Sequence, residues 1–173
     1  MTVRVSKPEF NLREKISELD YSRVPYEKMP AGSIIQFKQL QLTNADVGGF
    51  FLTTTSSSFT QTNTDFSLSI SPRFNTSKIL ITVVTFKYLS SADYAYTTIY
   101  RDDTNLGGSD RGLNEESGNS HTWNTVVINF LDTPETTSTI TYKIYARRNG
   151  GGTLYLGGDN DVVNTITLME VKQ

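Results

Sequence analysis

Few residues in this chain could carry out catalysis. His121 is the only histidine and cysteine is absent, so the chain offers no thiolate nucleophile, no disulfide and no thiolate metal site. The G-x-S-x-G pattern that presents a catalytic serine does not occur. A single histidine close to Trp123 at the start of a predicted strand is more simply explained by packing or exposure. The sequence therefore predicts a protein that is not an enzyme and that uses no cofactor.

The acidic turn at residues 157–161, with sequence GGDND, is the one candidate for metal binding. Asp159 and Asp161 could supply the hard oxygen ligands that calcium prefers. The segment lacks the twelve-residue loop and the closing glutamate of an EF-hand, and it occurs once. Gly, Asp and Asn favour tight turns for backbone reasons, so a turn is expected here, with calcium as the alternative.

Recognition residues are expected in the segment 103–120, which is polar, rich in glycine and long for a loop of a small domain. Binding side chains concentrate in loops that a rigid scaffold holds in place. Arg111, Asn114 and the nearby His121 are the candidates for contact with a receptor or a glycan.

The elements that would position these residues are strands. The chain has 173 residues, enough for one domain with a core, and only 20% of them are charged. From residue 31 onward, short segments rich in β-branched and aromatic residues alternate with turns, roughly one strand per dozen residues. This spacing predicts a mainly β fold, an antiparallel jelly-roll β-sandwich of eight to ten strands.

Two predicted strands, 78–89 and 123–131, are apolar on both faces. An antiparallel sheet normally has one wet face, so each of these strands needs cover on both sides. One cover would be the second sheet, and the other could be another copy of the chain. Val83, Phe86, Tyr88 and Val127 are the candidates for this contact between copies.

The first thirty residues differ from the rest because they are much richer in charge. Asn11 and Glu14 have capping-box spacing, and the apolar residues that follow predict a short helix over 12–20. Two prolines make 21–30 an extended linker with no room for a helix. The sequence thus divides into a short N-terminal helical arm with its linker, 1–30, and a sandwich domain, 31–173. The helix is too short to be stable alone, so it either caps its own domain or docks on a partner protein. The candidates for docking on a partner are Phe10, Leu12, Ile16 and Leu19.

The segment 3–20, VRVSKPEFNLREKISELD, resembles an N-terminal segment shared by structural proteins of tailed bacteriophages, particularly marine phages of cyanobacteria. The segments PAGSIIQ (30–36) and TITLMEV (165–171) are similar to phage fibre heads with a jelly roll like that of complement C1q or tumour necrosis factor. The resemblance implies that residues 6–20 attach to another virion protein and that the jelly roll forms a homotrimer. No coiled-coil or triple β-helix shaft separates arm and head, which favours a short appendage or a head decoration.

The sequence as a whole therefore predicts a virion structural protein, assembled in the host cytoplasm, that is attached through its arm and displays a trimeric head. The head would bind a host-surface glycan or protein. A capsid decoration protein and a lectin-like carbohydrate-binding module are the alternatives, and a depolymerase is the least favoured. The net charge of −2, without a basic stripe, gives no reason to expect nucleic acid, and no apolar run predicts membrane insertion.

Overall fold

The computed structural model describes residues 24–119, 121–159 and 161–173. The predicted arm helix and its candidates Phe10, Leu12, Ile16 and Leu19 lie outside the described residues. Within them, a 3-10 turn (Tyr26–Lys28) precedes the strands, and a short helix α1 (Asn44–Val47) follows the first strand. The strands are β1 (Ile34–Leu42), β2 (Leu52–Thr54), β3 (Thr60–Gln61), β4 (Ser67–Ile70), β5 (Lys78–Leu89), β6 (Asp93–Arg101), β7 (Thr104–Asn105), β8 (Asn114–Gly118), β9 (Thr122–Asp132), β10 (Ile140–Arg148), β11 (Leu154–Leu156) and β12 (Asn164–Val171).

The strands form two antiparallel sheets of six strands each. In sheet A, β12 lies between β1 and β5, β11 lies between β2 and β5, and β9 pairs with the other side of β5. In sheet B, β10 lies between β6 and the short strands β3 and β4, and β7 and β8 pair with β6. Successive long strands from β4 to β6 and from β8 to β10 alternate between the sheets. The predicted mainly β jelly-roll sandwich is thereby confirmed.

The core lies between the sheets and is organised on β5. Alternate residues of β5 are buried from Ile79 to Leu89, because successive side chains point to opposite faces of a strand. Ile79, Ile81 and Val83 are fully buried and pack in one cluster with residues of β9, β10 and β12. The burial of these branched side chains supplies the main driving force for closing the two sheets on each other.

Three local predictions differ from the structure. The predicted loop 103–120 contains β7 and β8, and β8 has the sequence NEESG, which carries no strong strand former. Its pairing with β6, from Asp93↔Gly118 to Thr97↔Asn114, holds it in sheet B. The strands number twelve in the described residues because several have only two or three residues. The described part of the linker, 24–30, contains a 3-10 turn that begins after Pro25, and Lys172 holds it by donating to the carbonyls of Glu27 and Met29.

Candidate functional site

The outward side of sheet A is almost free of charge. We call it the uncharged face and define it by the outward-pointing residues of its strands. Apart from Lys78, the first residue of β5, none of these residues is ionisable at neutral pH. They are Ile34, Phe37, Gln39 and Gln41 on β1, Thr53 on β2, Leu80, Thr82, Val84, Phe86 and Tyr88 on β5, Trp123, Thr125, Val127, Asn129 and Leu131 on β9, Tyr155 on β11, and Thr165, Thr167, Met169 and Val171 on β12.

Large apolar side chains are exposed on this face. Phe37 is 57% exposed, and Val127 and Leu131 are each 49% exposed. Leu80 and Val84 lie beside them on β5, opposite Leu131 and Val127 in the register. Single exposed apolar residues are ordinary, but a contiguous patch of them marks an interaction surface.

An aromatic cluster lies at one end of the uncharged face, and it consists of Phe50, Tyr88, Trp123 and Tyr155. The ring centroids of Tyr88 and Trp123 are 4.8 Å apart, and those of Phe50 and Tyr155 are 5.0 Å apart. Tyr88 and Tyr155 are opposite each other in the register of β5 and β11. These separations fall in the range of favourable ring contacts, so the cluster is a built surface feature.

The polar side chains of the uncharged face bond one another. Gln39 donates to the hydroxyl of Thr167 at 3.0 Å, and the hydroxyl of Thr82 donates to the side-chain carbonyl of Asn129 at 2.8 Å. A polar group that loses water costs free energy unless it keeps a hydrogen bond. These internal pairs therefore reduce the cost of covering the face with another surface.

The outer face of sheet B is different, because the chain covers part of it. Arg147 is 6% exposed, although it points outward from β10. Its guanidinium lies 4.2 Å from the ring centroid of Tyr96, and it donates to the carbonyls of Asp110 and Ser57. Its bonds to Asp110 and Ser57 hold two loops against the outer face of the sheet.

The conformation of the loop that contains Asp110, to which Arg147 donates, requires glycine. Gly112 has a φ of 67°, and a Cβ there would lie 2.7 Å from the carbonyl oxygen of Thr97. Gly108 and Gly112 bond each other in both directions, at 3.1 and 2.9 Å. Only glycine combines this backbone conformation with so close an approach to the sheet. The recognition segment is thus rigidly held at this point.

Charged groups also lie between the sheets, at the end of the sandwich near β8. Lys87 is 1% exposed and its Nζ lies 2.7 Å from a carboxylate oxygen of Glu116. Burial lowers the pKa of Lys87, and the bond to Glu116 opposes this shift. Arg148 and Asp93 form a second pair, at 3.3 Å. The first pair joins β5 of sheet A to β8 of sheet B, and the second joins the paired strands β6 and β10 of sheet B. The side chains of Lys87, Arg148 and Asp93 are buried, and that of Glu116 is 29% exposed.

The structure separates the four predicted interface residues. Phe86, Tyr88 and Val127 lie on the uncharged face, as a contact between copies requires. Val83 is fully buried and faces sheet B, so its inclusion is corrected. Both faces of β5 are apolar in sequence, and only the packing of the sheets shows that Val83 belongs to the inner one.

The predicted recognition residues do not lie in one loop. Arg111 is exposed and forms an ion pair with Glu115 at 2.8 Å, and Asn114 begins β8 with its side-chain carbonyl buried. His121 lies at the start of β9 with a φ of 61°, beside the aromatic cluster, 6.1 Å from the ring centroid of Tyr88. The structure therefore places His121 beside the aromatic cluster and leaves the other two near sheet B.

At the predicted turn, Gly157 and Gly158 have positive φ and the N–H of Val162 donates to the carbonyl of Asp159 at 3.0 Å. Asp159 and Asp161 are exposed. Among the described residues, no group of three or more His, Asp or Glu side chains is placed to hold a metal ion. In the same part of the chain, no helix has the length and hydropathy needed to cross a membrane.

Sequence reasoning missed several residues of the uncharged face. Phe37 and Leu131 are as exposed as Val127, and Trp123 is 46% exposed. The signal was present for Trp123 and Leu131, which the sequence places on the same strand face as Val127. For Phe50 and Tyr155 no local signal existed, because they reach the aromatic cluster through the pairing of β11 with β2 and β5.

No family model and no curated protein matches the chain. Solved structures with a similar chain path include infectious bursal disease virus Gx strain, with 15% identity over 87% of this chain and 41% of that chain, at a TM-score of 0.42. The VP2 subviral particle of the same virus is 16% identical over 82% of this chain and 39% of that chain, at 0.40. The chain thus spans about two fifths of the length of these viral chains. A likeness at this score and identity assigns no function to it.

Proposed function

We propose that this protein is a non-enzymatic structural component of a virus particle whose sandwich self-associates through the uncharged face. The observation that carries the proposal is the exposed, nearly charge-free outer side of sheet A. Interface cores are depleted in charged residues and enriched in aromatic ones, as this face is. A wet antiparallel sheet of the same size would carry Lys and Glu at its outward positions.

The occupant of the face is another copy of the chain. A face without charge exerts no like-charge repulsion on its own image and offers no attraction to a strongly charged partner. Closed symmetric assembly is the usual arrangement of soluble homo-oligomers, and in a cyclic trimer each copy presents two different parts of its contact surface to its two neighbours. The assembly proposed is the homotrimer that the resemblance to phage fibre heads implies, with Phe86, Tyr88 and Val127 in the contact.

The particle is proposed from the resemblance of residues 3–20 to an attachment segment of tailed-phage structural proteins. Leu12, Ile16 and Leu19 would dock the arm on another virion protein, and three linked arms would raise the avidity of attachment without new contacts. The sandwich would then face outward as a short tail appendage, or as a decoration of the shell, and would meet the host surface.

Light scattering of the full chain over a range of concentrations tests self-association through the uncharged face. We expect a mass of three copies or a multiple of three for the natural chain, and the loss of these species for Val84→Asp, which places a charge in the middle of the face. Ser117→Asp is the matched control, because Ser117 points outward from sheet B. A monomer for the natural chain at all concentrations would refute self-association.

Immunogold labelling of purified particles tests the virion role and its location. Gold on the tail supports the appendage, and gold on the shell supports the decoration protein. A double substitution, Leu12→Asp with Ile16→Asp, is expected to remove the label from particles while the protein is still made and keeps its mass. Particles without label for the natural chain would overturn the role.

A second candidate, a lectin-like module, is favoured by the aromatic cluster. Aromatic rings stack on the apolar faces of sugars, and Tyr88, Trp123 and Tyr155 are half-buried or exposed. Trp123 is the only tryptophan, so its fluorescence reports directly on this surface. Saturable changes in Trp123 fluorescence on adding saccharides, which are lost in Tyr155→Ala, would support this function. An unchanged spectrum with a panel of host-surface glycans would exclude it.

A further inference from the structure

The free edge of β9 carries a second contact, distinct from the face. We propose that two copies of this chain pair their β9 strands antiparallel, about a twofold axis through Val127, so that their A sheets become one continuous sheet. This contact uses the backbone at the sheet edge. It leaves the side chains of the uncharged face exposed, so it can coexist with the proposed trimer.

The edge of β9 is long and regular. Among the described residues, β9 pairs only with β5. The pairing runs without a register shift from Ile79↔Asp132 to Leu89↔Thr122. The strand contains no proline, no glycine and no lysine. An edge of this kind presents a row of unpaired N–H and C=O groups and is a template for another strand.

The other long edge of the same sheet is protected. In β1 the register shifts between Ile34 and Gln36. Lys38 lies opposite the inward-facing Leu168, and its Nζ donates to the carbonyl of Ser69 in sheet B at 2.9 Å. A bulge and an inward-pointing charge are the devices that block pairing at an edge. β9 has no bulge, and its one inward-pointing charge, Asp132, is its last residue and lies outside the row 123–131. The two edges of one sheet therefore differ in kind.

The groups at the open edge can be assigned. Successive strand residues direct their backbone groups alternately to the two sides. The carbonyl of Phe86 accepts from the N–H of Gly157 at 2.8 Å, on the β11 side of β5. Lys87 therefore bonds toward β9, where it lies opposite Asn124. The β9 residues that alternate with Asn124 direct their N–H and C=O groups to the open edge, namely Trp123, Thr125, Val127, Asn129 and Leu131.

This row is self-complementary. With Val127 opposite Val127 of the second copy, Thr125 lies opposite Asn129, and Trp123 lies opposite Leu131. Asn129 uses its side-chain carbonyl toward Thr82, so its amide nitrogen remains to donate to the hydroxyl of Thr125 across the axis. Apolar residues meet apolar ones at the centre and at both ends, and no like charges meet.

Single cysteines in the full chain test both the contact and its register, because the natural chain has no cysteine. Opposed residues of such a pair have Cα atoms about 5.5 Å apart, within the range that a disulfide bridges. We expect Val127→Cys to form a disulfide-linked dimer under mild oxidation. Thr125→Cys alone should not, because two copies of Thr125 would lie about four residues apart along the strands, roughly 13 Å.

A mixture of two cysteine variants tests the register of the edge contact. Thr125→Cys and Asn129→Cys, each inert alone, should give a mixed dimer when combined, at a rate at least tenfold above that of either alone. Val84→Cys is the matched control, because Val84 is the neighbour of Val127 on the same face but belongs to the inner strand β5. We expect no cross-link from it through the edge contact.

The cross-linking results distinguish the edge contact from a face-to-face contact. Cross-linking of Val127→Cys, together with the mixed pair, supports the edge contact and its register. Cross-linking of Val84→Cys in preference to Val127→Cys would place the copies face to face and overturn the edge contact, while leaving self-association through the face intact. Failure of Val127→Cys and of the mixture to cross-link in a protein that light scattering shows to be associated would also overturn the edge contact.

Discussion

The outer faces of the two sheets have the same strand geometry and opposite chemistry. Sheet B carries Lys143, Arg147 and Glu115 at outward positions, and Arg147 holds two loops of the chain over it. Sheet A carries exposed Phe37, Val127 and Leu131. A face that is to meet water or its own loops carries charge, whereas one that is to be covered by a partner does not.

Because of this difference, substitutions on the two faces should change different properties of the protein. The free energy of unfolding of the sandwich depends on the core and on the contacts of Arg147, and association depends on the uncharged face. Substitutions on one side should therefore change one property and leave the other nearly unchanged.

The largest effect is expected from Val83→Asp. Val83 is fully buried between the sheets, so the substitution places an unpaired carboxylate in the core. We expect the free energy of unfolding to fall by more than about 4 kcal/mol, enough to unfold many domains of this size. Urea unfolding monitored by circular dichroism measures it.

Val84→Asp is the matched control, one residue along β5 and on the uncharged face. Its free energy of unfolding should change by less than about 1 kcal/mol, while self-association weakens at least about tenfold, a change of ~1.4 kcal/mol. Equal destabilisation by the two variants would mean that the two faces of β5 do not differ as described.

The next effect is expected from Arg147→Ala on the other face. It removes the donors to the carbonyls of Asp110 and Ser57 and the contact with Tyr96. We expect a loss of about 3 kcal/mol of unfolding free energy, with an unchanged oligomeric mass. Arg147→Lys should recover only part of the loss, because an ammonium group lacks the planar fork of the guanidinium. A change in oligomeric mass without a change in the free energy of unfolding would contradict the proposed difference between the two faces.

A smaller effect is expected from Tyr142→Phe, which acts on the core that both faces share. The hydroxyl of Tyr142 donates to Asp132 at 2.7 Å and so joins β10 to the end of β9, where Arg101 also donates to Asp132. Removing one of these donors should cost about 1 kcal/mol at neutral pH.

The cost of Tyr142→Phe should depend on pH. Burial raises the pKa of the Tyr142 hydroxyl, and the bond to Asp132 adds to this rise. The stabilisation is therefore fully present below the unfolded pKa of about 10, and it is lost as the pH rises above that value. Urea unfolding at neutral and alkaline pH should show the difference between the variant and the natural chain shrinking. Tyr145→Phe controls for the loss of a hydroxyl, and a difference that grows with pH would contradict the assignment.

The smallest effect is expected from salt. Contacts between uncharged surfaces are not screened, so the association constant should change less than about twofold when ionic strength rises from about 0.05 to about 0.5 M. Sedimentation equilibrium measures it. A tenfold weakening would show that charged residues outside the uncharged face carry the contact.

Much of the scaffold could be predicted from the sequence, because its strong strands alternate clearly. The strands β5 and β12 begin and end where the pattern of apolar residues predicts. The predicted bounds of β9 and β10 differ from the observed ones by one residue at each end. The strand β8 could not be predicted, since its sequence NEESG has no apolar alternation. Its position comes from long-range pairing with β6 and from the ion pair of Glu116 with Lys87.

The candidate site was predicted only in part. By itself, the sequence determined that β5 and β9 each have two apolar faces, because side chains alternate along any strand. Only the tertiary structure decided which face lies inside. That choice depends on the strands that pair with β5 and on the sheet that covers it, so Val83 belongs to the core and Val84 to the surface, although both are valines in the same strand. The same long-range pairing brings Phe50, Tyr88, Trp123 and Tyr155 together, and this pairing cannot be predicted from any local sequence pattern.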